Sequence, residues 1–287
     1  MPKRPNIVRW TAGKLADLLE LERELFNASE IPLKVRARLA LDRYLCVASN
    51  SREINYLGSP FHYDGRLMPM LLPAYLAEIN RIDLIAPLAT ATIVDIGANV
   101  GQFGATISRR FPGARVWSFE PNQSITELLQ RNAAASPQWQ VVPWGVGEED
   151  AEVSLWAVDG KSAQGSILRD NATAGLRSAD AAEHRVVLRR LTTHLRVELG
   201  IPELVDVLKI DVEGAEDAVL PGLAALRWRY LMIETSLARA GGLTVQGARD
   251  LVASIWGEEP TVIWQSVPAL GALTIDAILA LPSNRTD

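Results

Sequence analysis

A single cysteine, Cys46, excludes an intrachain disulfide and a cysteine-based structural zinc site. Histidine is almost as scarce: His62, His184 and His194 stand too far apart to form a local metal motif. No run approaches the ~18 consecutive apolar residues of a membrane-spanning helix. The nearest, residues 267–281, is short and carries Asp276. Basic residues near the N-terminus are followed by no apolar stretch, so no signal peptide is expected and the location is read as cytoplasmic. An excess of positive charge is missing too. Twenty-nine Lys and Arg against 34 Asp and Glu give a net charge of −5, and no Lys/Arg run supplies a local patch. That argues against a nucleic-acid partner. Internal repeats and low-complexity segments are also absent.

What remains is a globular composition, 48% hydrophobic and 22% charged over 287 residues. Leu15, Leu18, Leu19, Leu25 and Phe26 recur at helical spacing within residues 14–26, and Pro32 stops that pattern. A second helix is expected over 33–47. Residues 50–65, with Tyr56, Gly58, Pro60, His62 and Tyr63, read as an irregular polar-aromatic loop. Leu71, Tyr75, Ile79 and Ile82 then mark another helix leading to Pro87. Residues 1–85 are thus expected to form a helical extension with a substrate or lid region, and 86–287 the main domain.

The rhythm changes after residue 90. Short apolar runs at 91–96, 115–119, 139–144, 152–158, 205–210 and 230–234 read as strands, with 261–264 and 273–279 closing the set. Helical patterns at 103–111, after 122, at 214–226 and at 243–256 lie between them. This alternation predicts a doubly wound, mostly parallel α/β sheet with right-handed crossovers. Such sheets bind ligands beyond the carboxyl ends of the strands, where the strand order reverses.

At the first strand end the chain reads Asp95-Ile96-Gly97-Ala98-Asn99-Val100-Gly101. Glycines there let backbone approach a ligand and aim helix N-terminal N–H groups at it. A dinucleotide fingerprint would need glycine where Asn99 and Gln102 stand, and a phosphate-cradling Gly-Lys-Ser/Thr is missing. The second strand ends in Glu120-Pro121-Asn122, where a carboxylate can accept hydrogen bonds from both hydroxyls of a ribose. Together these features point to an adenosine ligand without phosphates. A third stretch, Lys209-Ile210-Asp211-Val212-Glu213-Gly214-Ala215-Glu216, brings Asp211 out at the carboxyl end of a strand. Glu213 and Glu216, three apart, are expected on one side of the following helical turn.

These stretches are similar to the FkbM family of S-adenosylmethionine-dependent methyltransferases. VDIGANVGQFG (94–104), VWSFEPN (116–122), VVPWGVGEEDAEVSLW (141–156), GSIL (165–168) and LKIDVEGAEDAVLPG (208–222) occur in the family's order and spacing. The resemblance implies a Rossmann-like class I methyltransferase fold with a seven-stranded sheet over 86–287. It also implies O-methylation of a sugar, glycan or natural-product hydroxyl. By the same resemblance Asp95, Gly97, Ala98, Asn99 and Gly101 hold the methionine end of the cofactor. Glu120 takes the ribose, Pro121 and Asn122 join the cofactor-binding set beside it, and Trp144, Gly145 and Val146 border the adenine. His194 stands where the family usually has aspartate, ahead of the strand carrying Asp211.

Asp211, assisted or replaced by Glu213, is the expected general base for the acceptor hydroxyl. Mg²⁺ held by Asp211 and Glu234 is the alternative route to lowering that hydroxyl's pKa. Acceptor contacts are expected from His62 and Tyr63, with Gln164 and Ser166 as a second rim, and no resident metal site is assigned. The apolar helix faces within 14–47 are compatible with a homodimer and equally with packing onto the sheet. Two other classes compete: a non-catalytic S-adenosylmethionine-binding interaction protein, and an NAD-type oxidoreductase on the same sheet.

Overall fold

The computed structural model describes residues 19, 22, 23, 25–28, 31–65, 68–158, 165–167, 181–236, 243–266 and 274–284. Of the helix expected over 14–26 only residues 19, 22, 23, 25 and 26 are described, and all five are helical. Helix α1 (Leu33–Ser49) ends at Asn50, whose left-handed backbone takes the C-cap position. A hairpin follows, β1 (Glu53–Tyr56) and β2 (Ser59–His62), and then α2 (Leu72–Asp83). The central portion runs β3 (Thr92–Ile96), α3 (Gln102–Arg110), β4 (Arg115–Phe119), α4 (Gln123–Ala133) and β5 (Trp139–Val142). Next come β6 (Gly145–Val146), β7 (Ala151–Val158), β8 (Ala181–Arg189) and α5 (Thr193–Glu198). The chain continues with β9 (Leu204–Ile210), α6 (Glu216–Gly222), β10 (Arg227–Ser236), α7 (Val245–Trp256), β11 (Thr261–Gln265) and β12 (Thr274–Ala280).

Seven strands form one sheet in the order β11-β12-β10-β9-β3-β4-β5. Strands β10, β9, β3, β4 and β5 run parallel, while β12 is antiparallel to both of its neighbours. From β3 the chain steps outward through β4 to β5, then returns to the other side of β3 with β9 and β10. The order therefore reverses between β3 and β9, and the crevice for a ligand opens above their carboxyl ends.

Side-chain alternation divides the core between the two faces of this sheet. Ile93, Val207, Met232 and Ile278 face a layer that includes α2, α3 and the hairpin. Val94, Ile96, Leu208, Ile210 and Leu279 face α6 and α7. The first face is crossed by a polar row. Cross-strand partners run Ser118–Asp95–Lys209 through β4, β3 and β9, and Glu234–Asp276 through β10 and β12. That row, and the helix α2 lying over it, fixes the character of the crevice.

Four readings of the sequence are corrected. Residues 50–65 are not irregular: β1 and β2 pair, turning at Leu57-Gly58, both with positive φ, as a two-residue hairpin loop requires. The strand expected over 139–144 stops at Val142, because Pro143 has no N–H for the ladder, and a separate short strand follows at Gly145. Residues 152–158 belong to a second, three-stranded sheet in the order β6-β8-β7, not to the main sheet. Finally, the helix expected over 214–226 spans only Glu216–Gly222. No helix among the described residues is long and apolar enough to cross a membrane.

Candidate active site

The loop after β3 is held by the neighbouring strand. Gly97 and Ala98 N–H groups donate to the Phe119 carbonyl at 3.1 and 3.0 Å. Gly97 has φ +81°, and a Cβ there would fall 2.0 Å from the Asp211 carbonyl oxygen, so no other residue fits. The Asp211 N–H in turn donates to the Ile96 carbonyl at 3.1 Å. Strands β3 and β9 thus stay joined at the switch point itself. Asn99 adopts φ 53°, and its side-chain oxygen accepts from the Val100 N–H at 2.8 Å, the local compensation that lets asparagine take a left-handed turn.

Glu120 closes one side. Its two carboxylate oxygens accept from the Asn99 N–H at 3.0 Å and the Asn122 N–H at 2.9 Å. Burial pushes this carboxyl up to about 7, against the pull of those two donors. Beneath the loop Asp95 is fully buried and accepts from the Ser118 hydroxyl at 3.1 Å. Lys209 reaches from β9 to lie 3.9 Å from Asp95 and 3.0 Å from Asp211. Burial works against the Lys209 charge, yet Asp211, Asp95 and Glu78 hold its pKa well above the ordinary lysine range.

Above these groups lies a cavity of about 330 Å³. Gly97, Asn99, Glu120, Pro121, Asn122, Gly145, Val146, Asp211 and Glu213 line it. Among the expected cofactor residues, Asp95, Ala98, Gly101 and Trp144 do not. Asp95 supports the loop from below, and Trp144 packs edge-on against Phe119 at 5.0 Å. Glu213 has φ 56° and stands ahead of α6, so it does not share a helical turn with Glu216. The Glu216 carboxylate is buried and accepts from the Gly214 N–H at 3.0 Å.

The expected acceptor residues scatter. Tyr63 is buried, and His62 pairs with Glu53 at 3.4 Å on the hairpin while its backbone N–H donates to, and its carbonyl accepts from, the Asn132 side-chain amide; neither lines the cavity. Gln164 lies outside the described residues. Ser166 donates its hydroxyl to the Glu213 carbonyl at 2.9 Å, and its neighbours Gly165 and Ile167 line the cavity.

Three contributors escaped sequence reading. From α2, Tyr75 and Glu78 line the cavity, and from β12 so does Asp276. Glu78, three residues after Tyr75 in an apolar helix, was the available signal, as was Asp276 inside an apolar strand. Burial, reinforced by Asp276 and Asp211 and opposed by Lys209 and Arg81, pushes Glu78 up to about 8. Six carboxylates line the space, Glu78, Glu120, Asp211, Glu213, Glu234 and Asp276, with no basic side chain among the described residues. Asp211, Glu213 and Glu234 each offer an oxygen within 4.8 Å of the others, a set able to take a divalent cation.

Residues 95–249 match the methyltransferase FkbM domain. Among characterised proteins, the chain is 32% identical over 202 residues to the AMB antimetabolite synthetase AmbE of Pseudomonas aeruginosa, covering 58% of this chain and 9% of that protein. It is 31% identical over 148 residues to Methyltransferase 1 of Beauveria bassiana, covering 47% of this chain and 59% of that one. The chain thus spans less than two thirds of either relative. Magnesium protoporphyrin IX methyltransferase from Synechocystis, solved with bound S-adenosylhomocysteine, aligns with 84% of this chain and 94% of its own. Identity is 12% and the TM-score 0.47.

Proposed function

The chain belongs to the FkbM family of S-adenosylmethionine-dependent methyltransferases, and from that premise we propose that it methylates a hydroxyl of a small natural-product or sugar acceptor. The observation that carries this reading is the cavity at the β3–β9 switch point, lined by carboxylates and by no basic side chain among the described residues. A phosphate-bearing dinucleotide finds no counter-charge there, whereas a nucleoside with a cationic sulfur does. An NAD-type oxidoreductase is disfavoured for the same reason. The antimetabolite synthetase among the relatives supports a secondary-metabolite acceptor.

The residues present fit that cofactor. Glu120 would accept the ribose hydroxyls, and the Gly97–Asn99 backbone would lie against the methionine portion. When bound, S-adenosylmethionine would supply an electrophilic methyl group for transfer to the acceptor oxygen. The chain's own task is to hold the acceptor oxygen about 3–3.5 Å from that carbon and in line. Asp211 takes the hydroxyl proton, with Glu213 beside it. Lys209, fixed by Asp95 from below, sets the orientation of the Asp211 carboxylate.

S-adenosylhomocysteine at 100 times its Kd is expected to stabilise the folded chain by about 2.7 kcal/mol, read as a raised Tm, while NAD leaves Tm unchanged. Transfer of labelled methyl to glycans, glycolipids or polyketides then separates an enzyme from a binding protein. Stabilisation by NAD alone would overturn the reading.

A further inference from the structure

The far end of the cavity, beyond the Glu120 and Gly97 contacts, is closed by α2. This is a helix of the N-terminal portion, and the domain match begins only at residue 95. Tyr75 and Glu78 face inward from it, opposite Asp211 on β9 and Asp276 on β12. Glu78 Oε2 is fully enclosed and has no hydrogen-bond partner. A buried acceptor left unmatched is costly, and native structures rarely keep one without a purpose. The nearby cations are engaged: Lys209 pairs with Asp211, and Arg81 stacks on the Trp264 ring at 4.6 Å.

Asp211, proposed above to take the acceptor's proton, lines the same cavity as Tyr75, Glu78 and Asp276. A polar group arriving there lies against the Glu78 side chain, and an anionic one meets no basic side chain lining the cavity among the described residues. We propose that Glu78 is a specificity-determining residue of the transfer, its carboxyl receiving an N–H donor and, with Asp276, selecting acceptors that carry a protonated amine beside the methylated hydroxyl. Phosphorylated and carboxylated acceptors find no counter-charge among the described residues that line the cavity. This inference rests on the methyltransferase reading and adds the acceptor's charge to it.

Sinefungin tests it without a known acceptor, because an amine-bearing carbon replaces the methylsulfonium and presents its ammonium to this end. Kd values for sinefungin and S-adenosylhomocysteine are measured by calorimetry at pH 8 in EDTA, for the full chain and for Glu78→Gln. The full chain is expected to prefer sinefungin about tenfold, equivalent to about 1.4 kcal/mol. In Glu78→Gln the preference falls to about twofold or less, while S-adenosylhomocysteine affinity stays within about twofold of the parent. Asp276→Asn lowers the preference in the same direction and serves as the readout should Glu78→Gln not fold. A preference that is absent from the parent, or unchanged in both variants, overturns the role of Glu78 and leaves the methyltransferase reading intact. Failure of the folded parent to bind S-adenosylhomocysteine at all overturns both.

Discussion

Asparagine in place of Asp211 lowers turnover about 10²–10⁴-fold, the range that a positioned general base contributes. The shape of the side chain is retained, so the hydrogen bond from Lys209, 3.0 Å away, keeps an oxygen to meet. What disappears is the negative charge and the capacity to take a proton. The adenosine contacts proposed above lie elsewhere, on Glu120 and the Gly97 loop. S-adenosylhomocysteine affinity therefore stays close to that of the parent, and the loss falls on kcat. Single-turnover methyl transfer beside equilibrium binding separates the two. Undiminished turnover with normal binding would move the base to another carboxylate of the cavity.

Glu120→Ala has the second large effect, and it falls on cofactor binding. Hydrogen bonds to a charged partner contribute about 1.5–3 kcal/mol each, and two ribose hydroxyls lose theirs, so the Kd for S-adenosylhomocysteine rises about 100-fold or more. The Asn99 and Asn122 N–H groups also lose their acceptor, which loosens the loop. The pH dependence has a definite sign. Because burial raises Glu120 to about 7, its contribution to apo-protein stability is complete below the ordinary glutamate pKa. That contribution is lost as the pH rises through about 7. Ribose hydroxyls donate to the ionised form, so affinity runs the other way, increasing with pH and levelling off above that value. Between pH 8 and pH 6 the Kd weakens about tenfold in the parent, and Glu120→Gln flattens the profile.

Much of this site is legible in the sequence because its residues occupy positions fixed by topology. Gly97, Glu120 and Asp211 follow short apolar runs, and in an α/β sheet the residue after such a run is delivered to the crevice. The Gly97 turn further declares itself by composition, since a side chain there would collide with the Asp211 carbonyl. The hairpin at Glu53–His62 was hidden by Gly58 and Pro60, which read as loop residues although one serves the turn and the other sits in a strand pairing on a single side. Strand β8 was hidden for a different reason. Of its nine residues only Val186 is buried, so hydrophobic alternation is nearly absent from Ala181–Arg189. Its pairing is set by β7 and β6, tertiary partners that no local window contains.

The acceptor end was the least legible part. Glu78 looks like an ordinary charge on a helix, and Asp276 like an interruption of an apolar strand. Only packing α2 across the polar row of the sheet turns them toward Asp211. His62 and Tyr63 show the converse. Their composition suits a sugar-contacting loop, but the hairpin turns Tyr63 into the core and sets His62 beside Glu53, outside the cavity lining.

Calorimetric titration of the folded parent chain with S-adenosylhomocysteine at pH 8 addresses the central claim most directly. Saturable binding at one site per chain, severely weakened by Glu120→Ala, is the predicted result. A chain that melts cooperatively yet yields no binding heat across a wide range of temperature and ligand concentration would contradict the account.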